Sequence, residues 1–160
     1  MSEGNSKIPH SKKDVEEFLI LWKTLNDNEK KTLLFNMLEG NLVSKLHQLA
    51  IQGVDLVHCE EDGSNLLHHA AYSDNPEVIQ CLLYIGCEVE KKDINGRTPL
   101  HIASANGNLH TLKILLENTK SWLIKDNLGK NFLQLADENL VLKIYILTIT
   151  LFIKKKIFHI

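Results

Sequence analysis

Apolar residues return along this chain in short helical bursts, and the polar stretches between them carry turn chemistry. "SKKDVEEFLILWKTL", which opens at Ser11, sets Val15, Phe18, Leu19, Trp22 and Leu25 on one helical face. Ser11 and Asp14 have the character of a capping pair there. Farther on, Thr98 before Pro99 reads as a helix start, the hydroxyl taking early backbone N–H groups and the proline suiting the first turn. Leu100 and Ala103 then share a face, with the alanine small enough for a neighbouring helix to approach. Gly107 supplies the left-handed residue that ends this first helix. A second helix follows, with Leu109, Leu112, Leu115 and Leu116 at helical spacing. Ahead of both, "DING" (Asp93 to Gly96) suits a tight hairpin. The predicted unit is helix, turn, helix, hairpin.

The unit recurs. Gly63, Gly96 and Gly129 stand 33 residues apart, and Leu67, Leu100 and Leu133 keep the same interval. His68 and His101, Ala70 and Ala103, and Gly53 and Gly86 are in step with them, as are Leu49, Leu82 and Leu115. Several residue types in one register mark a repeat architecture. With its "G-x-T-P-L-H-x-A" core, the chain resembles the ankyrin-repeat family, most fully from Arg97 to Gly107 and over about residues 28 to 140 in all. The resemblance implies an all-α solenoid of helix-turn-helix repeats with short β-hairpin tips.

On this register the chain divides into a polar, disordered stretch at 1–10, an amphipathic capping helix at 11–26, and repeats over 27–139. A divergent first repeat occupies about 28–60 and keeps Leu33, Leu34, Met37, Leu38, Leu46 and Leu49. The second and third occupy 61–92 and 93–125, and a partial fourth at 126–139 carries Phe132 for the proline and Gln134 for the histidine. Terminal repeats are expected to be atypical. The N-terminal helix is expected to lay Phe18 and Trp22 over the first repeat, because a solenoid end exposes apolar surface. A detachable helix that docks on a partner is the competing reading.

Residues 140–160, "LVLKIYILTITLFIKKKIFHI", are the odd part. The apolar run Leu140 to Ile153 would span about 21 Å as a helix, short of a hydrocarbon core of roughly 30 Å. The register makes it the second helix of repeat four, with Ile144, Tyr145, Thr148 and Ile149 facing the core. A membrane anchor and an atypical tail are the other readings.

The histidines bear on enzymology. A general base at His101 would need a nucleophile or an orienting carboxylate. A histidine that recurs in register with a cap is expected to fasten the repeat instead, bonding Thr98 and a backbone group of the adjacent repeat. Gly63, His68, Gly96, Thr98, Pro99, His101, Gly107 and Gly129 are thus read as structural. His58, Cys59, His68 and His69 match no zinc spacing, and phosphate-loop, dinucleotide, esterase and zinc-protease motifs are absent. No catalytic residue, metal or cofactor is expected.

Composition narrows the classes further. A formal net charge of −2 gives no general pull toward nucleic acid or an anionic membrane. Three cysteines without a C-x-x-C pair suit a reducing compartment, with Cys81 and Cys87 buried and Cys59 exposed at a tip. The first residues lack the apolar core of a secretory leader. A cytoplasmic or nuclear monomer is the expectation.

What the family resemblance leaves for function is a surface. Ankyrin proteins bind partners through hairpin tips and the exposed side of the first helices, which form a concave face. Carried onto this chain, the contact residues are His58, Glu60, Glu61 and Asp62 at one tip and Lys91, Lys92 and Ile94 at the next. Asn127 lies at the third tip, and His69, Tyr72, Ser73, Ile102 and Asn106 lie on the helices. The expected activity is non-enzymatic scaffolding of a protein partner. A weaker similarity, over Lys45 to Ala71, is to the ankyrin segment of zeta-type diacylglycerol kinases, which would make the chain a non-catalytic piece of a lipid-signalling enzyme. A membrane-tethered adaptor and an NF-kappaB-type inhibitor complete the alternatives.

Overall fold

The computed structural model describes residues 12–40, 42–56 and 62–157, and all regular structure among them is helical. It contains two compact units, Met1–Val54 and Asp55–Ile160.

In the first unit, α1 (Lys12–Thr24) is followed by α2 (Asp27–Glu39) and α3 (Val43–Ile51). Phe18 is buried and Trp22 stacks on it with ring centroids 6.1 Å apart. Two residues separate α1 from α2, and a reciprocal cap makes the junction. The Glu29 N–H donates to Asn26 Oδ1, and the Asn26 N–H donates to Glu29 Oε2, both at 2.9 Å. Helix α2 packs on α3, and Met37, Leu38, Leu46 and Leu49 are buried while Leu33 and Leu34 are half-buried. The divergent first repeat therefore keeps a helix pair without any Thr-Pro start.

The second unit is built in two rows. The first row holds α4 (Leu66–Tyr72), α6 (Pro99–Ala105) and a 3-10 turn at Phe132–Leu135. The second holds α5 (Pro76–Ile85), α7 (Leu109–Asn118) and α8 (Glu138–Ile157). Within each row neighbours pack side by side, and α4 packs on α5 as α6 does on α7. Small residues make the first row close: Ala70, Ala71, Ala103 and Ser104 are almost fully buried. Leu67, Ile79, Leu82, Leu112, Leu115 and Leu116 fill the space between rows. Fully burying a side chain of that kind is worth about 1.5–3 kcal/mol, so the period-33 leucines carry the core.

Two expectations are corrected. The tips are tight turns, and among the described residues none is paired as a strand. In α8, Ile144 is fully buried as expected, yet Tyr145 and Ile149 are exposed, and Leu140 and Leu151 complete the buried stripe. The Leu140 N–H donates to Asp137 Oδ1 at 2.6 Å. That cap fixes where the helix starts, and packing on α7 sets the buried stripe about a quarter turn from the one the register implies. Residues 1–11, which include the polar N-terminal stretch and Ser11, lie outside the described residues, as do 57–61.

Candidate protein-binding face

Each first helix starts at a cap that recurs every 33 residues, on Asn65, Thr98 and Asn131. Three residues later stands His68, His101 or Gln134, whose side chain accepts from the cap's own N–H at 3.1, 3.2 and 3.0 Å. The histidines then do something the glutamine does not. His68 Nε2 lies 3.0 Å from the Arg97 carbonyl and His101 Nε2 lies 3.2 Å from the Lys130 carbonyl, each in the next tip. While at His68 the Nδ1 also lies 2.8 Å from Asn65 Oδ1, at His101 an Nδ1 that accepts and an Nε2–H that donates describe one tautomer, the neutral ring protonated on Nε2. The Thr98 hydroxyl, 2.8 Å from Nδ1, donates to the same lone pair. Burial pushes both imidazoles below their usual pKa, opposed by the backbone carbonyl that each ring meets. Both rings therefore couple a helix cap to the next tip, and among the described residues their hydrogen bonds go to caps and backbone carbonyls.

The tips stack in a ladder. In the second and third, an aspartate side chain closes the turn: Asp93 Oδ1 accepts from the N–H of Asn95 and of Arg97, and Asp126 Oδ1 from those of Leu128 and Lys130. Those amides hold the Asp126 carboxyl below its usual pKa. Between tips, the Ile94 N–H donates to the Asp62 carbonyl at 2.6 Å and the Asn127 N–H to the Asn95 carbonyl at 2.9 Å. Asn127 Nδ2 adds a bond to the Ile94 carbonyl, and Lys92 Nζ one to the Lys125 carbonyl. Gly96 sits inside this ladder with φ of 73°, and a Cβ there would strike the Asn127 side chain and come within 2.8 Å of its backbone nitrogen.

The candidate contact residues thus separate into groups. His58, Glu60 and Glu61, with Cys59, lie outside the described residues. Asn127 and Lys92 are exposed, but their polar ends are engaged by neighbouring tips. Asn106 and Ser73 bond carbonyls one turn back in their own helices. Asp62 turns its carboxylate onto Ser64. His69, Ile102 and Lys91 are half-buried. Tyr72 and Ile94 are the large side chains open to solvent, at 70% and 71%, joined by Leu128 at 76%. The ladder sets Ile94 against the segment that carries Leu128.

Three inter-repeat devices were not foreseen from sequence. Asp74 adopts φ of 48° where the next repeat has Gly107, and its Oδ1 accepts from Thr111 Oγ1 at 2.9 Å and the Thr111 N–H at 3.4 Å, capping α7 from the neighbouring repeat. An aspartate 33 residues before a glycine in the left-handed position was the available signal. Asn108 Nδ2 donates to the carbonyls of Ala71 and Tyr72. Glu90 Oε1 takes bonds from Thr119 Oγ1 and the N–H groups of Lys120 and Ser121, which hold its carboxyl below the ordinary range. These carboxylates belong to the scaffold, so they offer little to a partner.

A family model described as ankyrin repeats (three copies) matches residues 34–127 and 67–145. This chain belongs to the ankyrin-repeat family. Among curated relatives, the human transient receptor potential cation channel subfamily A member 1 is 37% identical over 85 residues, 52% of this chain and 8% of the channel. Mouse Rabankyrin-5 is 30% identical over 111 residues, 69% of this chain and 9% of that protein. Chicken NF-kappa-B inhibitor alpha is 38% identical over 52 residues, 32% of this chain and 16% of the inhibitor. The chain therefore spans only a small part of the length of these ankyrin proteins. Ankyrin repeats generally mediate protein–protein interaction, and the family is generally non-catalytic. Among the described residues no group of three histidine, cysteine or acidic side chains could hold a metal ion, and no helix is long and apolar enough to cross a membrane.

Proposed function

We propose that this ankyrin array is a non-enzymatic scaffold that binds a protein partner through its tips and first helices. One observation carries the reading. The polar groups of the repeat register are consumed by bonds between repeats, whereas Tyr72, Ile94 and Leu128 stand open on the segments that those bonds hold fixed. Exposed aromatic and aliphatic side chains on a rigid support are what hot spots are made of. Lys91, in the same tip as Ile94, would steer an acidic partner's approach more than hold it. The likeness to the NF-kappaB inhibitor covers one and a half repeats of common pattern and names no partner for this chain.

The test is site-specific photo-crosslinking in cells, with the reactive group placed in turn at Tyr72, Ile94 and Tyr84. Tyr84 is a matched control, since it is 80% exposed on the second-row helix α5. Adducts with one protein from the first two sites, and none from Tyr84, are expected. Adducts from Tyr84 alone would move the interface to the opposite side.

A further inference from the structure

Helix α8 has two apolar faces, and its own unit uses one. Leu140, Ile144 and Leu151 are buried, and the helix packs on α7. On the opposite side Leu142, Tyr145, Ile146, Ile149, Phe152 and Ile153 are between 49% and 69% exposed. A patch of six large neighbours on one helix is far from the scattered surface leucine of an ordinary protein. Aromatic side chains bury about 150–250 Å² each when covered, so six half-exposed large side chains offer on the order of 600 Å² per copy, and roughly twice that for a pair, the lower end of specific interfaces.

The order of residues says what covers it. Glu138, Leu142, Tyr145, Ile149, Phe152 and Lys156 follow each other at intervals of four and three, which is a heptad seam. The seam starts with an exposed acid and ends with an exposed base. Run antiparallel against itself, it meets its own complement. Glu138 faces the partner's Lys156, Leu142 the partner's Phe152, and Tyr145 the partner's Ile149. A parallel pair would set acid on acid and base on base, which is destabilising. A helix lying on lipid favours basic residues along its polar flanks, and an acid in line with the apolar stripe does not serve that purpose.

We propose that α8 pairs antiparallel with α8 of a second copy of this chain, about a twofold axis near Leu147. The interface is isologous and closed, and it departs from the monomer expected from sequence.

Sedimentation equilibrium of the full chain across a concentration series tests this. The weight-average mass should climb from 18.2 kDa toward twice that value. Ile149→Glu should weaken association about a hundredfold. Glu138→Lys and Lys156→Glu should each weaken it roughly fivefold, since rim charge pairs are worth little singly. The double charge swap should restore it to within about twofold of the parent, because the two-fold returns acid to base. All three positions are solvent-exposed, so circular dichroism should show the parent's helix content in every variant. A chain that stays monomeric throughout, or a double swap no better than either single, overturns the proposal. So does a monomer that cofloats with phosphatidylserine–phosphatidylcholine vesicles.

Discussion

The third repeat and the fourth start from the same plan and end differently. In the third, Thr98, Pro99 and His101 open an α-helix of seven residues, and the histidine reaches on to the Lys130 carbonyl. In the fourth, Asn131, Phe132 and Gln134 open a four-residue 3-10 turn. Gln134 keeps the cap bond, and the chain then turns into α8, with no further tip among the described residues. Phe132 is buried where the proline stood, and its carbonyl accepts from Ser104 Oγ at 2.5 Å. Register residues therefore serve two separable purposes, a local cap and a bond to the neighbour. Only the second needs histidine.

Glycine substitutions probe that separation most strongly. Gly96 and Gly129 occupy the same turn position with φ of 73° and 75°. A Cβ at Gly96 collides with Asn127, whereas one at Gly129 meets nothing within 4 Å. Left-handed backbone costs a non-glycine residue about 1–2 kcal/mol. Gly129→Ala should lose about that much in chemical denaturation, and Gly96→Ala about 3 kcal/mol or more, with the clash added. Equal losses would mean that the tips do not stack as described.

The histidine itself comes next. His101→Ala strands a buried cap N–H and removes one of the two bonds to the Lys130 carbonyl, and should cost about 2–3 kcal/mol. His101→Gln mimics the fourth repeat by keeping the cap, and should cost about 1 kcal/mol less than the alanine change. Gln134→Ala removes an exposed cap and should cost only about 0.5 kcal/mol. If His101→Gln proved as damaging as His101→Ala, the ring's bond to the next tip would be the whole of its contribution.

Acid should separate the two kinds of group by pH. The folded state holds His68 and His101 below the ordinary imidazole value of about 6.5, so the unfolded chain takes up protons first. Their contribution is complete above that value and is lost as pH falls below it. Glu90 and Asp126 are also depressed in the fold, by bonds from Thr119 and from the Lys130 N–H first of all. Their contribution is present above the usual carboxylate range and is lost as pH falls beneath about 4. A plot of melting temperature against pH should decline in two stages, and His101→Gln should flatten the upper one alone.

The smallest effect concerns Glu90, which ties the end of α7 from the tip beside it. Glu90→Gln exchanges charge-assisted bonds for neutral ones at a half-exposed site, and should cost about 0.5–1 kcal/mol. Its signature is local: hydrogen exchange at Lys120 and Ser121 should quicken while α4 stays protected. Uniform acceleration would show instead that the unit opens as a whole.

Much of this fold was legible in the chain because a repeat writes its local physics several times over. Asn65, Thr98 and Asn131 cap, glycines take left-handed turns, and leucines at helical spacing face inward. Each acts within about four residues, so periodicity exposes it. The candidate face was legible only in part. Tyr72 and Ile94 are open to solvent, but Asn127 and Lys92 turned out to be occupied, since a lysine or amide at a tip looks the same in sequence whether or not a carbonyl waits beside it.

By itself the sequence determined the period, the caps, the turn positions and the buried leucines of the repeats. Tertiary structure alone decided that Asp74 accepts from Thr111, that Glu90 caps the end of α7 and that Gly96, unlike Gly129, has no room for a methyl group. It also decided that Tyr145 and Ile149 turn outward on α8. Contacts of this kind join residues some 29 to 37 positions apart, and their existence depends on how one unit is offset against the next. That offset is fixed by side-chain packing between helices, which leaves no local mark on the residues it brings together.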